Sequence, residues 1–174
     1  MADKAPHRVI KYTFTKLARG KANVKVKVKN LLTGAIVIKS FLSGNSVDEA
    51  VLEKKHLQYL YRDGDSYVVM DPVTFDQNEI EANVLGSDAN YLVEGEKVWV
   101  LFWNDKIIGV ELSASVVMEV VETGPGVRGD TATKVTKPAT MASGLVVSVP
   151  GFINQGDKIK VNTETGEYVN RVNV

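Results

Sequence analysis

The chain has 174 residues, 44% hydrophobic and 24% charged, close to the globular average; this excludes a disordered or collagen-like protein and leaves room for one ordinary domain or for two or three small ones. Its 21 Lys plus Arg cancel 21 Asp plus Glu, so the net charge by itself points to no polyanionic partner. Cysteine is absent, which excludes disulfides, thiolate nucleophiles and cysteine-bearing zinc sites and makes the cytoplasm the expected compartment.

In chain order, the first predicted strand is His7–Phe14. The clearest follows at Ala22–Lys29, where Val24, Val26 and Val28 alternate with Lys25, Lys27 and Lys29, the period of a half-buried strand. Further β-rich runs stand at Ala35–Phe41, Leu57–Arg62 and Ser66–Asp71. Phe75 to Leu85 is the best helical stretch, because Phe75, Ile80, Val84 and Leu85 can share a face. Strands are predicted again at Lys97–Trp103, Lys106–Leu112, Val116–Glu122, Gly144–Val149, Lys158–Asn162 and Tyr168–Val172, with turn signals such as Thr33-Gly34, Asp63-Gly64, Asn104-Asp105 and Thr165-Gly166 between runs. Trp99 and Trp103, four apart in a β-run, are expected to pack on one face of a core. The longest strongly apolar run, Val98 to Trp103, is far short of the ~20 residues that span a bilayer, so no membrane partner is expected. The pattern predicts an all-β protein built of small barrels.

The cancelling charge is unevenly distributed. Residues 1–62 hold 13 basic and 4 acidic side chains, residues 63–126 hold 2 and 13, and residues 127–174 hold 6 and 4, which amounts to +9, −11 and +2. Such asymmetry suggests three modules with seams near Asp63-Gly64 and Thr123-Gly-Pro-Gly126, the first suited to a polyanion. Within it, Lys16-Leu-Ala-Arg-Gly-Lys21 sets three cations on a loop between two strands, and Lys25, Lys27 and Lys29 add a sequence-independent attraction to phosphate. The plain alternative is a solvated face whose lysines protect an edge.

Several motifs, in order and at matching spacing, carry a family resemblance: Lys16-Leu-Ala-Arg-Gly-Lys-Ala22, Val28-Lys-Asn-Leu-Leu-Thr-Gly34, Tyr59-Leu-Tyr-Arg-Asp-Gly64, Val120-Val-Glu-Thr-Gly-Pro-Gly126, Arg128-Gly-Asp-Thr-Ala132, Lys137-Pro-Ala-Thr140 and Gly166-Glu-Tyr-Val-Asn-Arg171. From His7 to Val172 the chain resembles bacterial elongation factor P. The resemblance implies three consecutive small β-barrel domains in an L-shape that mimics transfer RNA: a KOW or SH3-like barrel over 1–62, then OB-like barrels over 63–126 and 127–174. It implies a monomeric, non-enzymatic translation factor that needs no cofactor and relieves ribosomes stalled at consecutive prolines by positioning the P-site peptidyl-tRNA. The implied partners are both ribosomal subunits, that tRNA and messenger RNA in the E site.

Carried over by position, the family's tip loop falls on Lys16, Arg19, Gly20 and Lys21. Arg19 stands where members carry a modified Lys or Arg and would be the target of a tip-modifying enzyme, although the Pro-Gly or Ser-Gly before that position is Leu17-Ala18 here. Gly129, Asp130 and Thr131 match the loop facing messenger RNA, and Tyr168 and Arg171 match the C-terminal signature at the small subunit and anticodon stem. Family members have a longer stretch before the strand equivalent to His7–Phe14. The first barrel is therefore expected to lack its opening strands, with three explanations open: a start set too late, a fragment, or a barrel open along one edge.

Other chemistries fit less well. Gly124-Pro-Gly-Val-Arg-Gly129 spells a dinucleotide-binding motif but is followed by no helical pattern. His7 and His56 have no partner at metal-ligand spacing, Asp63-Gly-Asp65 lacks the other ligands of a calcium loop, and no nucleophile elbow exists. The remaining alternative is a divergent paralogue or a generic RNA-binding β-barrel protein without a proline-specific role.

Overall fold

The computed structural model describes residues 5–15, 22–125 and 135–172. The first unit is an antiparallel sheet of β1 (His7–Thr15), β2 (Asn23–Asn30) and β3 (Ile36–Leu42) in the order β1-β2-β3. The β2–β3 turn is built by Asn30, whose Oδ1 accepts from the backbone N–H groups of Leu32 (2.9 Å) and Thr33 (3.1 Å), and by Gly34 at φ 74°. Val9, Tyr12 and Phe14 lie opposite Val28, Val26 and Val24 and so share one face with them. Only Val28 on that face is buried, and Tyr12 is 71% exposed, so the described part of this unit is an open sheet.

The second unit contains β4 (Glu53–Asp63), β5 (Ser66–Met70), β6 (Gln77–Glu81), a one-turn α1 (Ala82–Leu85), a 3-10 turn over Gly86–Tyr91, β7 (Lys97–Trp103) and β8 (Lys106–Glu111). The sheet order is β6-β5-β4-β7-β8, and α1 contacts both edge strands, β6 and β8, so that it bridges the open side. Leu57, Tyr59, Val69, Ile80, Leu85, Val100 and Val110 fill the interior.

The third unit runs through β9 (Ser115–Thr123), β10 (Thr136–Met141), β11 (Val146–Pro150), β12 (Lys158–Asn162) and β13 (Tyr168–Val172), ordered β11-β10-β9-β12-β13. β11 approaches β13, curling the sheet over a core that includes Val120, Met141, Val149, Ile153 and Ile159. Tyr91 and Val93 from the second unit pack on this core, and Thr163 Oγ1 donates to Ser113 O at 2.7 Å and Ser143 Oγ to Asn90 O at 2.6 Å. The protein is all-β, as the periodicity predicts.

Three expectations need correction. The helix expected over Phe75–Leu85 is confined to its last residues: Asp71 Oδ1 accepts from the Val73 and Thr74 N–H groups, Phe75 sits at φ 62°, and Gln77–Glu81 pairs with β5 instead. The turn geometry at Asp71 and the waiting edge of β5 override a weak helical pattern. The seam expected at Asp63-Gly64 is the turn of the β4–β5 hairpin, in which Asp63 lies opposite Ser66, so the second unit already starts with β4. The seam expected at 123–126 likewise follows β9, which pairs with β10 and β12 and belongs wholly to the third sheet. Counted by sheet, residues 1–52 carry +7, residues 53–111 carry −7 and residues 112–174 are neutral.

β10 carries no strand signature in the sequence because it contains Pro138. Its pairing with β9 begins one residue later, at Ala139 with Thr123, so the missing N–H is not needed on that side, and Thr123 Oγ1 donates to Pro138 O at 2.9 Å.

Candidate nucleic-acid interface

The β1–β2 hairpin carries the basic surface. Arg8 lies opposite Lys29, Lys11 opposite Lys27 and Thr13 opposite Lys25. Strict alternation from Arg8 would place Ile10 and Tyr12 on that face and send Lys11 to the other. A register shift between Val9 and Lys11 leaves Ile10 as the extra residue and turns Lys11 onto the face of Lys25, Lys27 and Lys29. Five cations thus share one side of the sheet, and the apolar set Val9, Tyr12 and Phe14 shares the other.

This arrangement has an electrostatic cost, because like charges directly opposite one another across a ladder are destabilising. Among the described residues no acidic side chain pairs with Lys11, Lys25 or Lys27. Lys25 and Lys27 are exposed, whereas Arg8 and Lys29 lie toward the second unit. The face leads from there to Thr15 and Asn23, where the 16–21 connection begins. Lys16, Arg19, Gly20 and Lys21 lie outside the described residues, as do Gly129, Asp130 and Thr131.

The two C-terminal candidates are placed by the third sheet. Tyr168 packs in part against the third core. Arg171 lies opposite Ile159 on β12, with its guanidinium 5.9 Å from the centre of the Phe152 ring and 3.8 Å from an Asp157 carboxylate oxygen. Both therefore have structural partners, and Arg171 remains partly exposed.

Trp99 departs from the expected core position. Val98, Val100 and Phe102 face the interior, while Trp99 is 43% exposed and stacks on His56 across the strand pair, with ring centres 4.4 Å apart. Periodicity contained this signal, since Trp99 is out of phase with Val98 and Val100. Among the described residues no group of three or more His, Cys, Asp or Glu could hold a metal, and no helix is long and apolar enough to cross a membrane.

Comparison with known proteins decides the family. Residues 1–47 match the Elongation factor P (EF-P) KOW-like domain, residues 52–110 the Elongation factor P (EF-P) OB domain, and residues 116–171 the Elongation factor P C-terminal domain. The chain belongs to the elongation factor P family. The three matched stretches coincide with the three sheets, including the start of the second before β4. Elongation factor P of Maridesulfovibrio salexigens is 43% identical over 169 residues, covering 97% of this chain and 91% of that protein. Elongation factor P of Synechococcus elongatus is 46% identical over the same coverage of each chain. A solved eukaryotic translation initiation factor 5A from Methanococcus jannaschii superposes with a TM-score of 0.48 at 19% identity, covering 64% of this chain and 84% of that one. The family is one of translation elongation factors, and the basic hairpin belongs to its KOW-like domain.

Proposed function

We propose that this member of the elongation factor P family binds the ribosome between the P and E sites and speeds peptide-bond formation at consecutive prolines. The basic hairpin lies along the acceptor end of the P-site peptidyl-tRNA, with Lys16, Arg19, Gly20 and Lys21 at its tip, while Gly129, Asp130 and Thr131 face messenger RNA and Tyr168 and Arg171 face the small subunit. The observation that supports this reading best is the row of cations on β1 and β2, in which Lys11, Lys25 and Lys27 pair with no acidic side chain among the described residues, a costly arrangement for an isolated sheet and a favourable one against phosphates. The −7 of the second unit disfavours nucleic acid there and leaves contact with RNA to the basic hairpin of the first unit and the loops of the third.

The factor contributes orientation, and the ribosome contributes the reacting groups. Proline is a conformationally restricted acceptor, and holding the peptidyl-tRNA in reactive geometry lowers the entropic part of the barrier. No step needs an acid, a base or a cofactor from this chain. Arg19 is the position a tip-modifying enzyme would take, and intact-mass measurement of the natively expressed protein detects any added group. Arg19→Ala should leave thermal melting unchanged and abolish rescue of a proline-run reporter. Undiminished rescue by that variant would refute the tip assignment, and a proline-independent effect with salt-sensitive binding to free RNA would favour a generic RNA-binding protein.

A further inference from the structure

The second core does not use Trp99. His56, Trp99 and Glu111 stand opposite one another on β4, β7 and β8 and form a row across the outer face of the second sheet. The His56 ring covers one face of the indole, with 19° between the two planes, and so holds its orientation, while 43% of Trp99 stays exposed. All three side chains line a cleft of about 260 Å³ where the second unit meets the third, and its far wall holds Val117 of β9 together with Tyr91 and Val93. Small-molecule sites usually run to roughly 300–1,000 Å³, so this cleft suits one large side chain better than a whole cofactor.

The charges at the cleft select the class of side chain. Glu96 stands at the rim with its backbone held from both directions, because its N–H donates to Val93 O at 3.1 Å and its carbonyl accepts from the Tyr59 N–H at 2.9 Å. Among the described residues its carboxylate pairs with no cation. Glu111 engages Lys54 Nζ through one carboxylate oxygen, Oε2. Lys97 also lines the cleft, but the unit around it carries −7, so an incoming cation is attracted and an incoming anion repelled.

We propose that this cleft takes an arginine side chain from a basic polypeptide, its guanidinium stacked on the indole face that His56 leaves open and turned toward Glu96 and Glu111. Arginine fits better than lysine because its planar guanidinium stacks on an indole, is more weakly hydrated than an ammonium and offers paired N–H donors to a carboxylate. The stack on His56 holds Trp99 in place beforehand, so little side-chain freedom is lost on binding. A nucleobase could stack on the same ring, but its phosphates would enter the field of the −7 unit. The site lies apart from the basic hairpin and does not depend on the action proposed there.

Trp103→Phe leaves Trp99 as the sole tryptophan, so its emission reports on the cleft. In this background the full chain is titrated with the blocked peptide Gly-Arg-Gly-Arg-Gly, with its Lys and Gln counterparts, and with hexauridylate. The Arg peptide should change the emission saturably, in the about millimolar range of a contact carried by one side chain. The Lys peptide should bind several-fold more weakly, and the Gln peptide and hexauridylate should not saturate. Glu96→Gln should weaken the Arg peptide roughly threefold. Trp99→Ala in the natural chain should abolish the saturation-transfer NMR signal of the Arg peptide, with circular dichroism confirming an intact sheet. Equal response to the Arg and Gln peptides, no saturation by the Arg peptide, or an undiminished NMR signal with Trp99→Ala overturns the inference. Saturation by hexauridylate alone also overturns it and marks a nucleic-acid site instead.

Discussion

The basic face of the hairpin gives a prediction in which stability and binding move in opposite directions. Replace Lys11, Lys25 and Lys27 together by Gln, which keeps most of the side-chain length and removes three charges. In the free protein the Lys11–Lys27 opposition disappears, and cross-strand like-charge terms of this kind are worth about 0.2–1 kcal/mol, so the variant should be more stable by that amount in denaturant titration. On the ribosome each lost phosphate contact should lower the dependence of log binding constant on log salt by roughly 0.7, so three should lower it by about 2. The assay is fluorescence anisotropy of labelled factor with ribosomes across roughly 50–200 mM monovalent salt, a range over which cation–phosphate binding changes steeply. A variant that is less stable than wild type, or one whose salt slope is unaltered, would show that these lysines serve the fold and not a polyanion.

Two further outcomes follow from burial and charge. Ile159 is fully buried in the third core, and Ile159→Ala should cost about 2–5 kcal/mol in denaturant unfolding; a smaller loss would mean the site collapses around the missing atoms. Asp88 has a folded-state pKa raised by burial, so its contribution to stability is fully present below its unfolded value and is lost as pH rises through the folded one. Asp88→Asn removes that loss, and its stability relative to wild type should grow from about pH 4 to about pH 7 in paired denaturant titrations. A constant difference across that range would contradict the raised value.

Much of the fold was legible in the chain. Lys97–Trp103, Lys158–Asn162 and Tyr168–Val172 are strands with the predicted bounds, because alternation, β-branched residues and flanking turns all agree there. Gln77–Glu81 shows no strand period because it has one buried residue, Ile80, and forms a strand only by pairing with β5. Asp63-Gly64 resembles a seam because a glycine turn inside a hairpin looks the same in sequence as one between domains.

Local sequence determined most of the strands, the turns and the family, since side-chain period and backbone preference act over a few neighbouring residues. Only the tertiary structure decided which strands share a sheet and which face each cation takes. A one-residue bulge at Ile10 turns Lys11 onto the basic side, and inter-unit packing brings Lys29 beside Gly86 and Arg8 beside Gly109, 57 and 101 positions away. Both depend on register and long-range contact, and a period of two carries no record of either.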